Sequence, residues 1–289
     1  MRTLVFTLLS CACFCTFFVF TTPVLAGEPL KAMTFNLRLA TGDDGENVWS
    51  KRKDFAVKVI RDENPDVLGV QEAQPIQVDE LVAALPEYVN VGVSRRPDGN
   101  DEFSAIYFRR DRFHLSDAGT FWLSDTPTVP GSTTWGNSLP RIATWVRLFD
   151  RTDQRRLIVI NTHWDHESQP ARLNSGKLLA AKVHELSGDA EPVIVMGDFN
   201  AMPNNPAMVA LVEQGGLRDT LSVAHPDETN ISTFNGFGRT PNGPKIDAVL
   251  VSPQWQVEDA AIIRTRDGEL FPSDHWPVTA TVRLPEATH

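Results

Sequence analysis

Cysteine is scarce in this sequence of 289 residues, and all three copies fall within the first 15 positions. Cys11, Cys13 and Cys15 lie in an N-terminal apolar stretch, so the rest of the chain contains no cysteine. Disulfide bonds, thiolate metal sites and a cysteine nucleophile are therefore excluded from the body of the protein. A domain without such cross-links must be stabilised by its hydrophobic core, and the remaining length is sufficient for one large domain.

Apolar runs of membrane length are also missing beyond the N-terminus. Residues Met1–Ala26 combine one positive charge at Arg2, an apolar run over Leu4–Phe20 and a small residue before Gly27. This layout predicts a secretory signal peptide with cleavage after Ala26, and hence a secreted or periplasmic protein without a stable membrane span. Lipidation at Cys11 is a minor alternative, because little apolar sequence precedes that residue.

Basic residues are outnumbered, with 27 Lys and Arg against 37 Asp and Glu and a formal net charge of −10. Such a surface repels polyanions, so binding to nucleic acid is not favoured, although a local basic groove stays open as an alternative. No internal repeat or low-complexity linker divides the chain. We therefore predict a single domain over residues 27–289, and we expect a monomer.

Hydrophobic patterning predicts short strands interleaved with a few helices. The predicted strands are Lys31–Asn36, Asp66–Val70, Tyr88–Val93, Glu102–Phe108, Phe113–Leu115, Arg141–Phe149, Arg156–Thr162, Val193–Met196, Ile246–Val251, Gln256–Thr265 and Val278–Leu284. The predicted helices are Lys51–Asp62, Ile76–Leu85, Pro170–Leu186 and one that starts near Ala207. The pattern favours an α+β fold in which helices cover two packed sheets. A doubly wound parallel sheet is less favoured, because several strands follow one another too closely for helical crossovers.

The most informative stretch is the strand Val193–Met196 and the turn after it. Its four consecutive apolar residues are typical of a strand covered on both faces. Gly197 then allows a turn, and Asp198 and Asn200, two residues apart, face the same side of an extended backbone. An Asp- and Asn-rich turn without function is the alternative for this stretch taken alone.

Other apolar strands also end on polar groups, namely Asn36, Glu72, His163 and the pair Asp274-His275. Asp247 lies inside the apolar run of its strand, where an unpaired carboxylate would be costly to bury. We expect His275 to be its partner, since a carboxylate on one ring nitrogen fixes the tautomer of a histidine.

Oxygen-rich sites without cysteine suit hard cations, with Mg²⁺ first and Mn²⁺ or Ca²⁺ as alternatives. The transferring phosphoryl group carries negative charge that metal ions, histidines and amides stabilise. The pattern of polar strand ends therefore indicates metal-assisted hydrolysis of a phosphate ester.

Short motifs occur in the same order as in the endonuclease/exonuclease/phosphatase superfamily, which the chain resembles from about Leu30 to Leu284. They are TFN at Thr34–Asn36, QE at Gln71-Glu72, NTH at Asn161–His163, GDFN at Gly197–Asn200, KID at Lys245–Asp247 and SDH at Ser273–His275. The resemblance implies a four-layer αββα sandwich like that of DNase I, with the site at one edge of the sheets. Within that superfamily, the chain is similar to a bacterial secreted subgroup.

The resemblance also implies roles for the matched residues. Glu72 resembles the principal metal ligand, with Asn36 beside it and Asp274 assisting the metal or its water shell. Asp198 would orient or activate the attacking water, and Asn200 would hold the phosphate.

Two histidines complete the implied site. His275, paired with Asp247, would stabilise the pentacovalent phosphate or donate a proton. His163 resembles a second active-site histidine supported by Glu102, and Arg141 resembles a phosphate-contacting arginine. Ordinary charges at strand starts are the alternative reading of Glu102 and Arg141.

The chain departs from abasic-site endonucleases at Arg38, where those enzymes carry an aspartate. Either the metal relies on Glu72 with fewer carboxylates, or Arg38 faces the leaving group. Asp165 and His166 follow His163 directly and could bind substrate or a second metal; a polar loop without contact is the alternative.

The leading prediction is a secreted, Mg²⁺-dependent phosphoesterase that hydrolyses phosphate mono- or diesters by in-line attack of water. A secreted nuclease is the alternative, which the acidic composition disfavours. A non-catalytic binding domain on the same fold is less favoured, because it would not need this set of polar residues.

Overall fold

The computed structural model describes residues 27–188 and 190–285. The predicted signal peptide, Met1–Ala26, lies outside the described residues. Within the described part, none of the helices is both long and apolar enough to cross a membrane.

Two six-stranded sheets form the centre of the fold. In chain order the strands are β1 (Leu30–Asn36), β2 (Val67–Gln71), β3 (Tyr88–Val91), β4 (Ile106–Arg109), β5 (Phe113–Trp122), β6 (Ile142–Asp150), β7 (Arg155–His163), β8 (Val193–Asp198), β9 (Arg218–Asp219), β10 (Asp247–Val251), β11 (Gln256–Ile262) and β12 (Val278–Arg283). The first sheet has the order β11-β12-β1-β2-β4-β3, and the second has the order β5-β6-β7-β8-β10-β9. The helices are α1 (Trp49–Glu63), α2 (Pro75–Ala84), α3 (Gln169–Ser187), α4 (Pro206–Gln214) and α5 (Thr220–Ala224).

The alternation of side chains along the central strands builds the layers. In β8, Ile194 and Met196 join the core between the sheets, whereas Val193 and Val195 pack with residues of α3 and α4. In β1 the outward-facing Phe35 packs instead with residues of α1 and α2. The predicted four-layer αββα sandwich is therefore confirmed, and the apolar run in β8 is covered on both faces.

Most strands agree with their predicted bounds to within three residues, the short elements β9 and α5 were not predicted, and two strands, β5 and β4, differ more. β5 continues well past the predicted end at Leu115, because it is an edge strand whose polar residues face solvent, with a register shift before Asp117. β4 begins at Ile106, so Glu102 lies in the preceding segment, where Phe103 makes isolated bridges rather than a ladder.

Candidate active site

The candidate active site lies along one edge of the sandwich, where strand ends from both sheets meet. Asn36 closes β1, and Glu72 directly follows the parallel neighbour β2. In the second sheet His163 lies in register with Asp198, which in turn lies in register with Asp247. Distant segments of the chain thus form one row of polar side chains.

The side-chain amide of Asn36 joins the two halves of this row. Its Nδ2 donates to Glu72 Oε1 at 3.0 Å and to Asp198 Oδ2 at 2.9 Å. Glu72 Oε2 accepts from the backbone N–H of Leu39 at 3.1 Å. Glu72 also has a positive φ of 57°, a sparsely populated conformation that is often found at functional sites. Asn36 therefore fixes the two carboxylates close together.

His275 and Asp247 form the predicted pair. The Nδ1 of His275 lies 2.9 Å from Asp247 Oδ2, and both residues are buried. The other ring nitrogen, Nε2, lies 3.9 Å from Asp198 Oδ2. Burial alone would lower the pKa of His275, but the charges of Asp247 and Asp198 outweigh it and raise this pKa well above its ordinary value. The imidazolium form is therefore favoured, with Nε2 aimed at Asp198.

The segment that carries His275 is anchored to the first sheet. Ser273 Oγ donates to the Asn36 carbonyl at 2.7 Å and accepts from the backbone N–H of His275 at 3.2 Å. Asp274 lies between them on the cleft wall, 3.9 Å from Arg38 Nε, and burial raises its pKa. This anchoring places Asp274 beside the half of the row that contains Glu72.

His163 lies on the other side of Asp198, and its environment acts in the opposite direction. Its Nε2 is 3.5 Å from Asp198 Oδ2 and 3.1 Å from Asn200 Nδ2. Its Nδ1 is 3.9 Å from Glu102 Oε2, beyond hydrogen-bond distance, so the predicted support of His163 by Glu102 stays a prediction. Burial and the Arg141 guanidinium hold the pKa of His163 well below its ordinary value. This ring is therefore neutral, in contrast to His275.

Two carboxyl groups in the row have pKa values near neutrality. Burial, reinforced by the charge of Asp247, raises the pKa of Asp198 to about 7. Burial and the charge of Glu72 raise the pKa of Glu102 to about 7. A carboxylate with such a pKa is suited to exchange a proton with water near pH 7.

Arg141 connects His163 to the loop that follows it. Its Nη1 lies 3.2 Å from each ring nitrogen of His163, and its Nη2 lies 2.8 Å from His166 Nδ1. His166 is exposed and lines the cleft, as expected for a residue that contacts substrate. Asp165 is 2% exposed and stabilises this loop, because its Oδ1 accepts hydrogen bonds from the backbone N–H groups of Glu167 and Ser168. Asp165 lies 3.5 Å from Arg141 Nε, so in this structure it positions Arg141 rather than facing the cleft.

The residues of the row fit a hard divalent cation. Ligand atoms of Glu72, His163 and Asp198 all lie within 4.8 Å of one another. Asp198 also belongs to a second such group with Asp247 and His275, in which Asp247 Oδ1 lacks a hydrogen-bond partner among the described residues. A bound cation would offset the repulsion between these carboxylates, and an oxygen-rich set suits Mg²⁺ or Mn²⁺. Asn36 contacts Glu72, and Asp274 lines the same cleft; their role at the metal stays a prediction.

A cleft of about 470 Å³ opens over the row. Its walls include two residues that the sequence analysis missed, Arg95 and Phe234. Arg95 is buried and holds Glu102 at 2.8 Å, while Phe234 packs edge-on against His275 with ring centroids 5.0 Å apart. Neither stands in a polar strand-end motif, so no local pattern indicated them.

Comparisons with known proteins agree with this geometry. The sequence profile of the Endonuclease/Exonuclease/phosphatase family matches residues 33–275. Uncharacterized protein L388 of Acanthamoeba polyphaga mimivirus is 27% identical over 165 residues, which cover 53% of this chain and 59% of that protein. Nocturnin of Drosophila melanogaster is 26% identical over 180 residues, which cover 57% of this chain and 26% of nocturnin. The matched region thus spans less than two thirds of either curated relative.

Solved structures are similar over nearly their whole length. An endonuclease/exonuclease/phosphatase from Bacteroides vulgatus has a TM-score of 0.84 at 32% identity, covering 89% of this chain and 99% of that one. A mannosyl-6-phosphatase from Bacteroides thetaiotaomicron VPI-5482 has a TM-score of 0.80 at 33% identity, covering 88% and 99%. The human nocturnin catalytic domain, with a TM-score of 0.73 at 19% identity over 89% and 94%, shares the fold.

The family profile covers most of the chain, and the structures more than 30% identical to it extend over nearly all of their own length. Glu72, Asp198 and His275 all line the same cleft. This chain therefore belongs to the endonuclease/exonuclease/phosphatase family and is a hydrolase that acts on phosphate esters.

Proposed function

We propose that this protein hydrolyses phosphate mono- or diesters of modest size, using a divalent cation and water. The observation that carries the proposal is the setting of Asp198, whose carboxyl group lies between His163 and His275 and accepts from Asn36. A buried carboxylate between two histidines of opposite charge preference is suited to activate water next to a phosphorus atom.

In this proposal the side chains divide the steps of the reaction among them. Asp198 orients the attacking water and accepts its proton, as its pKa of about 7 allows. Asn200 and Arg141 bind the oxygens of the phosphoryl group. His275, held in its protonated form by Asp247, donates to a phosphoryl oxygen or to the leaving group.

Glu72 and Asp198 would hold the cation, with Asn36, Asp274 and His163 at the border of the site. When bound, the cation supplies positive charge to the phosphoryl oxygens as negative charge develops on them. We propose Mg²⁺ first and Mn²⁺ or Ca²⁺ as substitutes, because the donors are mostly oxygens.

Two observations support small substrates. The cleft has a volume of about 470 Å³, which is suited to a small ester rather than to a long polymer. The likeness to a mannosyl-6-phosphatase at 33% identity supports sugar phosphates as a class to test.

We also propose that the protein is exported by the predicted signal Met1–Ala26, which fractionation of the producing cell tests. We further propose that it acts as a monomer, which size-exclusion chromatography tests.

The deciding experiment is a panel of phosphate esters with Mg²⁺, with Mn²⁺ and with EDTA. The panel contains p-nitrophenyl phosphate, bis-p-nitrophenyl phosphate, mannose 6-phosphate and DNA. We expect hydrolysis of small esters that EDTA stops, and a loss of roughly 10²- to 10⁴-fold in the variants Asp198→Ala and His275→Ala with melting temperatures close to wild type.

Arg156→Ala is the control variant, since this exposed residue lies at the opposite end of the strand that ends at His163. A clear band in a DNA gel without turnover of small esters would make nuclease the better assignment. Hydrolysis that EDTA does not stop would overturn the proposed metal dependence, and no activity on any ester would favour a binding domain. Unfolding of both active-site variants would show that these residues are structural.

A further inference from the structure

We propose that Arg38 contacts the phosphoryl group of the substrate and makes the enzyme prefer phosphate monoesters to diesters. This inference rests on the phosphoesterase function proposed above. It adds a specificity-determining residue to the set of Asp198, Asn200, Arg141 and the two histidines.

The backbone of Arg38 is held in an unusual conformation. Its φ is +54°, in the left-handed region that non-glycine residues seldom adopt. Its N–H donates to Asn36 Oδ1 at 2.9 Å, and its carbonyl accepts from Arg52 Nη2 at 2.8 Å and from Gln77 Nε2 at 2.9 Å. Arg52 and Gln77 are both fully buried, so these hydrogen bonds hold the backbone of Arg38 rigidly. Strain that the surroundings maintain in this way is typical of functional positions.

The side chain of Arg38 is fixed by an ion pair with Asp44, but one of its donor groups has no hydrogen-bond acceptor among the described residues. Its Nε and Nη2 donate to the two oxygens of Asp44 at 3.1 and 3.2 Å. No described residue accepts a hydrogen bond from Nη1, and the side chain remains 31% exposed where it lines the cleft. Asp44 thus fixes the guanidinium at the cleft wall, where Nε also lies 3.9 Å from Asp274 Oδ2, and leaves the Nη1 donor group open.

The position of this charge distinguishes the two classes of ester. Arg38 follows β1 of the first sheet, whereas Arg141 precedes β6 of the second sheet, and both line the cleft that contains Glu72 and Asp198. A monoester dianion has three non-bridging oxygens, so a guanidinium on each side can bind it. A diester carries one negative charge less and places an ester group where one of these oxygens would be. Facing that group, the Nη1 group of Arg38 would be desolvated without an acceptor, whereas Asp44 would still pair with the rest of the guanidinium.

Kinetics with a matched pair of substrates tests the inference. The variants Arg38→Ala, Arg38→Lys and Asp44→Asn are compared with wild type on p-nitrophenyl phosphate and bis-p-nitrophenyl phosphate. We expect Arg38→Ala to lower kcat/KM for the monoester by about 10- to 100-fold and to leave that for the diester nearly unchanged. Arg38→Lys should retain part of the preference, because it keeps the positive charge but cannot make the two-point hydrogen bond of the guanidinium to Asp44. Asp44→Asn should raise KM for the monoester more than it lowers kcat, since Asp44 only positions Arg38.

Binding of inorganic phosphate and of Mg²⁺, each measured by calorimetry, separates this role from others. Arg38→Ala should weaken phosphate binding and leave the affinity for Mg²⁺ unchanged, and the control Arg156→Ala should change neither. Equal losses for both esters, unchanged rates for both, or a loss of Mg²⁺ affinity would each overturn the inference about Arg38. If wild-type protein hydrolyses neither ester with any cation, the proposed function itself fails, which is a distinguishable result.

Discussion

Two histidines on either side of Asp198 show how identical side chains acquire different roles. Burial disfavours the charged form of both rings. For His163 the Arg141 guanidinium adds to the effect of burial, and the pKa falls. For His275 the carboxylates of Asp247 and Asp198 outweigh burial, and the pKa rises. The site therefore combines a neutral ring and a protonated ring around one carboxylate, an arrangement that supports acid and base chemistry at a single pH.

The contact between Asp247 and His275 leads to a prediction about pH dependence. A raised pKa keeps His275 protonated up to alkaline pH, so activity that needs this proton is lost only as the pH rises through that pKa. Asp247→Asn removes the charge and should lower the pKa of His275. We therefore expect the alkaline limb of the profile of kcat/KM against pH to move to lower pH in this variant, with the acid limb moving less.

The profiles are measured with p-nitrophenyl phosphate at saturating Mg²⁺, with Asp62→Asn as a control in which an exposed carboxylate of α1 is neutralised outside the cleft lining. An alkaline limb in Asp247→Asn that coincides with wild type would show that His275 is not the group that loses its proton there.

At the scale of elements, much of the site was predictable because its residues stand where strands end. The apolar runs before Asn36, Glu72, His163 and Asp198 marked those ends, and the sheet pairing then brought the polar groups together. The partner of Asp247 followed from the cost of burying its charge.

Other parts of the site could not be read from the sequence. Arg95 and Phe234 lie in irregular segments, and only tertiary packing brings them to the cleft. The side-chain direction of Asp165 was equally undetermined, because a loop residue beside an active-site histidine can face either way. The backbone conformation of Arg38 was also undetermined, because it depends on hydrogen bonds from Arg52 and Gln77, which lie in two different helices.

Gly197 lies in β8 directly before Asp198 and packs closely against the neighbouring strand β7. A Cβ atom at this position would lie 2.1 Å from the backbone oxygen of Thr162 on the neighbouring strand β7. Gly197→Ala must therefore push β8 away from β7, just before Asp198. We expect this substitution to lower the free energy of unfolding by about 2–4 kcal/mol, measured by urea denaturation.

Gly216→Ala is the matched control for this test. Gly216 has a φ of +61° and open space around the position of its Cβ, so its replacement should cost only about 1 kcal/mol from the left-handed backbone. Equal losses in the two variants would mean that β8 and β7 can separate at Gly197 without penalty.

At the scale of the whole molecule, the question is what aligns the two sheets so that their edges form one site. The core between them is apolar and does not fix their relative register by itself. Asn161 of β7 supplies a directional link, since its Nδ2 donates to the carbonyls of Val70 and Ala105, each at 2.9 Å. Its Oδ1 accepts from Gln71 Nε2 at 2.6 Å. Asn161 precedes His163 by two residues and Gln71 precedes Glu72, so this link joins the two halves of the site directly.

Removal of this link should affect stability and catalysis together. Asn161→Ala removes three buried hydrogen bonds between the sheets, so we expect a loss of about 2–4 kcal/mol in the free energy of unfolding. The Ala105 carbonyl still accepts from the backbone N–H of Val70, and the Gln71 amide still donates to Thr34 Oγ1. Because the sheets lose this directional link next to the site, kcat should also fall, by roughly 10-fold or more, at a temperature where the variant is fully folded. The neighbour Thr162→Val is the control: its Oγ1 donates to the Ile142 carbonyl within the same sheet, so it should lose about 1 kcal/mol and keep its kcat. A folded Asn161→Ala variant with unchanged kcat would show that the apolar core and the Asn36 amide suffice to hold Glu72 opposite His163.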